Sequence, residues 1–153
     1  MIEDFIVTNS NELNDELLLL LSSLYIETVK IAQADKTLNK VKNKQSAIYI
    51  RIAGKVALIK GNNTLAKELL SNAYKDNPIQ IVALELAQAL QNLTEVDAAI
   101  ELLENHIAQF KESNVILLNY KLAELNEGKY PSKAEQYYKK LLVDTNNSVV
   151  SIN

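Results

Sequence analysis

The segment AIYIRIAGKVALIKGNNTLAKELLSNAYKDNPI, residues 47–79, holds the organising unit of the chain. Ile50, Ala53, Gly54 and Ala57 recur at helical spacing before the break Gly61-Asn62-Asn63, and Ala66, Leu70 and Ala73 recur at the same spacing after it. Gly61 supplies the left-handed turn. Pro78 stands just past the second apolar set, where a residue unable to continue the hydrogen-bond ladder belongs. The segment therefore reads as helix, short turn, helix, stop. Gly54 and Ala66 are the small residues that let two antiparallel helices approach closely, and a bulky side chain at either would force them apart.

The same pattern recurs on both sides. Upstream, Leu18, Leu21-Ser22, Tyr25, Ala34, Leu38 and Val41 fall on corresponding positions, giving a repeat over about 15–46 whose turn, Thr28-Val29-Lys30, lacks glycine. Downstream, Ala83, Leu86-Ala87, Leu90, Thr94, Ala99, Leu103 and His106 mark a repeat over about 80–114. A fourth, over about 115–148, has its turn at Glu127-Gly128-Lys129-Tyr130, Pro131 near the start of its second helix, and Ala134, Tyr138 and Leu141 beyond. Its first helix admits two registers, one carried by Leu118, Leu122 and Leu125 and one by Ala123 as the small position. Residues 1–14 read as the end of a preceding repeat or a linker, with residues 5–11 as the tail of a second helix and its inter-repeat turn. Residues 142–148 read the same way, which makes 149–153 the start of a further, truncated repeat.

The unit resembles the tetratricopeptide repeat (TPR), whose pattern runs from a large residue through Leu-Gly, Tyr, Ala and an aromatic to a closing Pro. Ile50, Ala53-Gly54, Ala57, Ala66 and Leu70 stand at those places, and Pro78 matches outright. The resemblance implies an all-α, right-handed solenoid of about four helix–turn–helix repeats, and a non-catalytic scaffold whose stacked first helices line a concave groove for a partner peptide or helix. On that register the groove is lined by Leu19, Ser23 and Ile26 in the first repeat and by Arg51, Lys55 and Leu58 in the second. Leu84, Gln88 and Asn92 follow in the third, and Asn119 in the fourth. Arg51 and Lys55, one helical turn apart, with Gln88, Asn92 and Asn119 form a polar, locally cationic strip suited to carboxylate or backbone groups. Some relatives clamp a chaperone's C-terminal carboxylate with Lys and Asn, but this chain does not reproduce that set. Its Lys-, Asn- and Ile-rich composition suits an AT-rich genome. Its run of repeats is similar to long bacterial repeat proteins of envelope and exopolysaccharide systems, which leaves both cytoplasm and periplasm open.

Composition agrees with this reading. In 153 residues there are three Gly and two Pro, too few turn residues for a strand-rich fold. A chain of this length buries about two-thirds of its unfolded surface, so a core forms without metal or disulfide. No Cys is present, which excludes thiolate catalysis and Cys-ligated metals. With 16 basic and 19 acidic residues the net charge is −3, which disfavours nucleic acid as a partner. The longest apolar run, Leu17 to Leu21, is far short of the roughly 20 residues of a membrane span, so no membrane insertion is expected.

Chemistry finds no constellation. His106 is the sole histidine and reads as a packed residue rather than a ligand. Glu101 with Glu104, and Glu124 with Glu127, are i,i+3 neighbours on solvated helix faces. Glycines at 54, 61 and 128 fit no phosphate-binding loop. Neither a metal nor a cofactor is expected. Tyr137 and Tyr138 point about 100° apart on one helix, so one packs and the other is a candidate contact. The second reading is self-association, with terminal apolar residues Phe5, Ile6, Val149, Val150 and Ile152 joining copies end to end, or a structural spacer within a larger envelope or exopolysaccharide assembly protein.

Overall fold

The computed structural model describes the backbone of residues 2–111 and 114–150 and the side chains of residues 11–111 and 114–146. Among the described residues the protein is all helix: α1 (Ile2–Glu27), α2 (Ile31–Leu38), α3 (Ala47–Ile59), α4 (Asn63–Asp76), α5 (Gln80–Asn92), α6 (Val96–Phe110), α7 (Ile116–Asn126) and α8 (Pro131–Val150). Two compact units divide the chain, Met1–Asn77 and Pro78–Asn153. In the first, α1 packs on α2 and α3 on α4, with α3 also touching α1 and α2. In the second, α5 packs on α6 and α7 on α8, with α7 also touching α5 and α6.

Short turns make these pairs antiparallel, and three of the turns share one geometry. The middle residue of 28–30, 60–62 and 93–95 is left-handed, with φ of 59° at Val29, 78° at Gly61 and 63° at Thr94. The next N–H, of Lys30, Asn62 or Glu95, donates to the carbonyl five residues earlier, of Tyr25, Ala57 or Leu90, at 2.7, 2.9 and 2.9 Å. This wide bond captures an orphan carbonyl of the ending helix. Only Gly61 meets the left-handed requirement without steric cost. The turn 127–130 closes differently: Gly128 is not left-handed, and the Tyr130 N–H returns to the Asn126 carbonyl at 2.8 Å. Pro131 then opens α8, where its missing N–H costs nothing.

Small residues sit where each pair is tightest. Ala34, Ala66, Ala99 and Ala134 each occupy the fourth position of a second helix and are buried. On the first helices, Ser22 and Ala87 are fully buried and Gly54 is buried against Leu69 and Leu70. A Cβ on Gly54 would lie 2.8 Å from Leu70 Cγ. Ser22 fits the same place in α1 because its hydroxyl donates to the Ala34 carbonyl at 3.0 Å. The first unit's core joins Leu19, Ile26, Leu38, Val41, Ile52 and Val56. In the second, Leu86, Leu90, Leu103, Leu118 and Leu122 are buried.

The irregular segment 39–46 is tied down by Asp15, whose carboxylate accepts the backbone N–H groups of Lys42 at 3.0 Å and Asn43 at 2.8 Å. These two bonds hold its carboxyl below the ordinary aspartate value. Ser46 then caps α3 by accepting the Tyr49 N–H.

The helix ends depart from expectation. No turn interrupts α1 at 8–11, and α8 runs through 144–148. Neither stretch contains Gly or Pro, and Asn, Ser and Thr penalise a helix only mildly when flanked by good formers. Thr145 spends its hydroxyl inside α8, donating to the Leu141 carbonyl at 2.8 Å. Phe5, Ile6, Val149, Val150 and Ile152 lie outside the residues whose side chains are described.

Candidate functional site

Outward faces of the first helices, α3 in one unit and α5 with α7 in the other, carry the polar groups singled out from the sequence. On α3, Arg51, Lys55 and Leu58 are half-buried at one-turn spacing, while Ile52, Gly54 and Val56 on the flanks of that row are buried. Ser23 on α1 is half-buried as well. Leu19 and Ile26 are not groove residues: both are buried in the first unit's core beside Ile52 and Val56. Five consecutive leucines, Leu17 to Leu21, supply apolar side chains to every side of α1, so periodicity there could not separate the inner face from the outer.

On α5, Leu84 and Gln88 are half-buried and Asn92 is exposed. The Gln88 amide donates to Asn92 Oδ1 at 2.8 Å, one turn along. Asn119 is 5% exposed, too deep to face a partner. It lies on α7, which is buried on most of its circumference because α5, α6 and α8 all pack on it.

Sequence reasoning missed the centre of this polar face, Lys121. Its ammonium bonds Gln88 Oε1 and Gln91 Oε1, each at 2.6 Å, and Glu124 Oε1 at 3.1 Å. Gln91 closes the ring by donating to Glu124 Oε1 at 3.1 Å. Partial burial works to raise the Glu124 carboxyl, but the bonds from Gln91 and Lys121, with the lysine charge, outweigh it and hold the group below its ordinary value. The three ammonium protons of Lys121 thus meet oxygens from both α5 and α7. The i,i+3 spacing of Lys121 and Glu124 was a visible signal, and the uncertain register of this helix hid it.

Elsewhere the titratable groups are structural. His106 is fully buried with its ring 4.9 Å from that of Phe110. Tyr137 is half-buried and donates to Glu104 Oε1 at 2.9 Å; burial, and then that bond, push its hydroxyl well above the usual range. Tyr138 is exposed and donates to Glu127, which together with slight desolvation holds its hydroxyl up at about 12. Among the described residues no group of three or more His, Asp or Glu is placed to hold a metal. Nor, among them, is any helix long and apolar enough to cross a membrane.

Antiparallel helix pairs built on buried small residues, with polar outward faces on the first helices, define an all-α helical-repeat protein of TPR-like fold. No family model matches the sequence, and no curated protein sequence matches it. Among solved structures, the crystal structure of the MamA protein is similar, with a TM-score of 0.74 at 24% sequence identity, over 94% of this chain and 79% of that one.

Proposed function

We propose that the chain is a non-catalytic protein-interaction scaffold that binds an extended or helical segment of a partner through the outward faces of its first helices. The observation that carries this reading is the polar array on α5 and α7, where Lys121, Gln88, Gln91 and Glu124 are locked together and Asn92 continues the row. Amide side chains held in fixed rotamers offer both donors and acceptors to a peptide backbone, and the pre-ordering lowers the entropy cost of binding. On the other unit, Arg51 and Lys55 give α3 a local positive character in a chain of net charge −3, matched to acidic or C-terminal carboxylate groups. The TPR-like fold supports a scaffold role in general terms, since repeat folds expose long helix faces free of packing duty.

Affinity capture from a lysate of the source cells tests this, run with the native chain, with Arg51→Glu plus Lys55→Glu, and with Gln88→Ala plus Asn92→Ala. The proposal expects partners retained by the native chain to be lost from at least one folded variant. Partners held equally by both variants would contradict it.

A further inference from the structure

Helix α1 has a second face that stands exposed among the described residues of its unit. Leu13, Leu17, Leu20 and Leu24 are 57%, 57%, 67% and 54% exposed, although Asp15, Leu19, Ser22 and Ile26 on the same helix are buried. Those four leucines are spaced four, three and four residues apart, the seam of a two-stranded coiled coil. The buried set falls on the opposite side of that heptad, so packing on α2 and α3 leaves the seam untouched. Displaced by the 32 residues that separate Ser22 from Gly54, Leu20 and Leu24 correspond to Ile52 and Val56. In α3 those two residues are buried against the preceding helix pair. The Leu20–Leu24 part of the exposed seam therefore corresponds to a face that, one repeat later, is closed by other helices.

Its spacing also says what fits. Read from either end the stripe is the same, so a second stripe lying antiparallel places Leu17 on the partner's Leu20 and Leu13 on the partner's Leu24. Glu16 then flanks the partner's Ser23, and no carboxylates are opposed. With Leu21, 39% exposed beside the seam, the leucines leave on the order of 450 Å² of apolar surface per copy, as large as the functional patches of monomers. Two such faces with their polar rim come to about 1,000–1,200 Å², the low end for a specific interface. We infer that this face of α1 pairs with the same face of a second copy of the chain, antiparallel about a two-fold axis between Leu17 and Leu20. This interface is independent of the α3 and α5–α7 faces.

Sedimentation of the full chain over a range from about 1 μM to about 1 mM tests it, a span chosen for a weak interface. The mass is expected to rise from 17.1 kDa toward twice that value. Leu17→Glu with Leu20→Glu should keep the helical spectrum and stay at the monomer mass, while Arg51→Glu with Lys55→Glu should dimerise as the native chain does. A native chain that stays monomeric, a mass that grows past the dimer, or association undiminished in a folded leucine variant would each overturn the inference. The absence of Cys from the sequence permits a second test that keeps the seam apolar. Leu13→Cys mixed with Leu24→Cys should give a disulfide-linked heterodimer. Neither variant alone should link to itself, because its two cysteines lie about 16 Å apart along the helix axis, beyond disulfide reach. Self-linked dimers of either single variant, or no heterodimer in the mixture, would overturn the antiparallel pairing.

Discussion

At Gly54 a single hydrogen decides how close α3 and α4 can come. An added methyl would sit 2.8 and 2.9 Å from two atoms of Leu70 and 3.3 Å from Leu69 Cβ, and Leu70 is fully buried and cannot swing aside. Gly54→Ala should therefore destabilise the protein by about 1–3 kcal/mol despite its better helix propensity, read as a lower urea midpoint; an unchanged midpoint would mean the pair can separate freely. Val29 presents the opposite case, a β-branched residue held left-handed at φ 59° and exposed to solvent. Val29→Gly should stabilise the protein by about 1 kcal/mol, read as a higher urea midpoint, because relief of the left-handed strain exceeds the entropy that glycine adds to the unfolded chain. Asp15 adds a pH dependence. Its folded-state value lies below the ordinary 3.8, so in acid the unfolded chain binds the extra proton. Its contribution is intact above the unfolded value and is lost as pH falls through the depressed folded one. The thermal midpoint should drop more between pH 6 and pH 3 for the native chain than for Asp15→Asn, and equal drops would remove Asp15 as the anchor of 39–46.

Whole helices differ in how openly the sequence declares them. The pairs α3–α4 and α5–α6 are legible because Gly61, Pro78, Gly54, Ala66, Ala87 and Ala99 punctuate them, and their small residues are buried as the pattern requires. The faces of α1 are not, since consecutive leucines satisfy several registers and only the packing of α2 and α3 selects Leu19 over Leu20. Helix α7 is ambiguous for a related reason: Leu118, Asn119, Leu122, Ala123 and Leu125 are all buried, so no polar stripe marks an outside. Its turn also lacks the left-handed residue that aligns the other three pairs. The candidate site was half legible. Arg51, Lys55 and Gln88 are half-buried and Asn92 exposed on first helices, where the sequence pattern puts them, whereas Lys121 was hidden by the uncertain register of its helix even though its i,i+3 spacing to Glu124 was visible. Lys121→Ala should destabilise the second unit by about 1–2 kcal/mol, leaving the amide oxygens of Gln88 and Gln91 without their ammonium donor and Glu124 with only the bond from Gln91. Urea unfolding checks this, and a neutral result would reduce the network to surface decoration.

At the scale of the chain, most buried apolar residues serve to pair helices, while polar groups on the first helices, the leucine seam of α1 and scattered apolar side chains such as Leu117 and Leu142 are left exposed. A fold of this kind fixes its scaffold through small buried residues while the exposed positions vary with the partner, so architecture is easier to read than recognition. The most direct measurement of the central claim is amide hydrogen exchange, by mass spectrometry, on the chain alone and with its captured partner. Binding through the first helices predicts added protection in peptides covering Arg51 to Leu58 of α3 or Leu84 to Asn92 of α5, with α6 unchanged. Protection confined to the second helices α4 and α6 would contradict it.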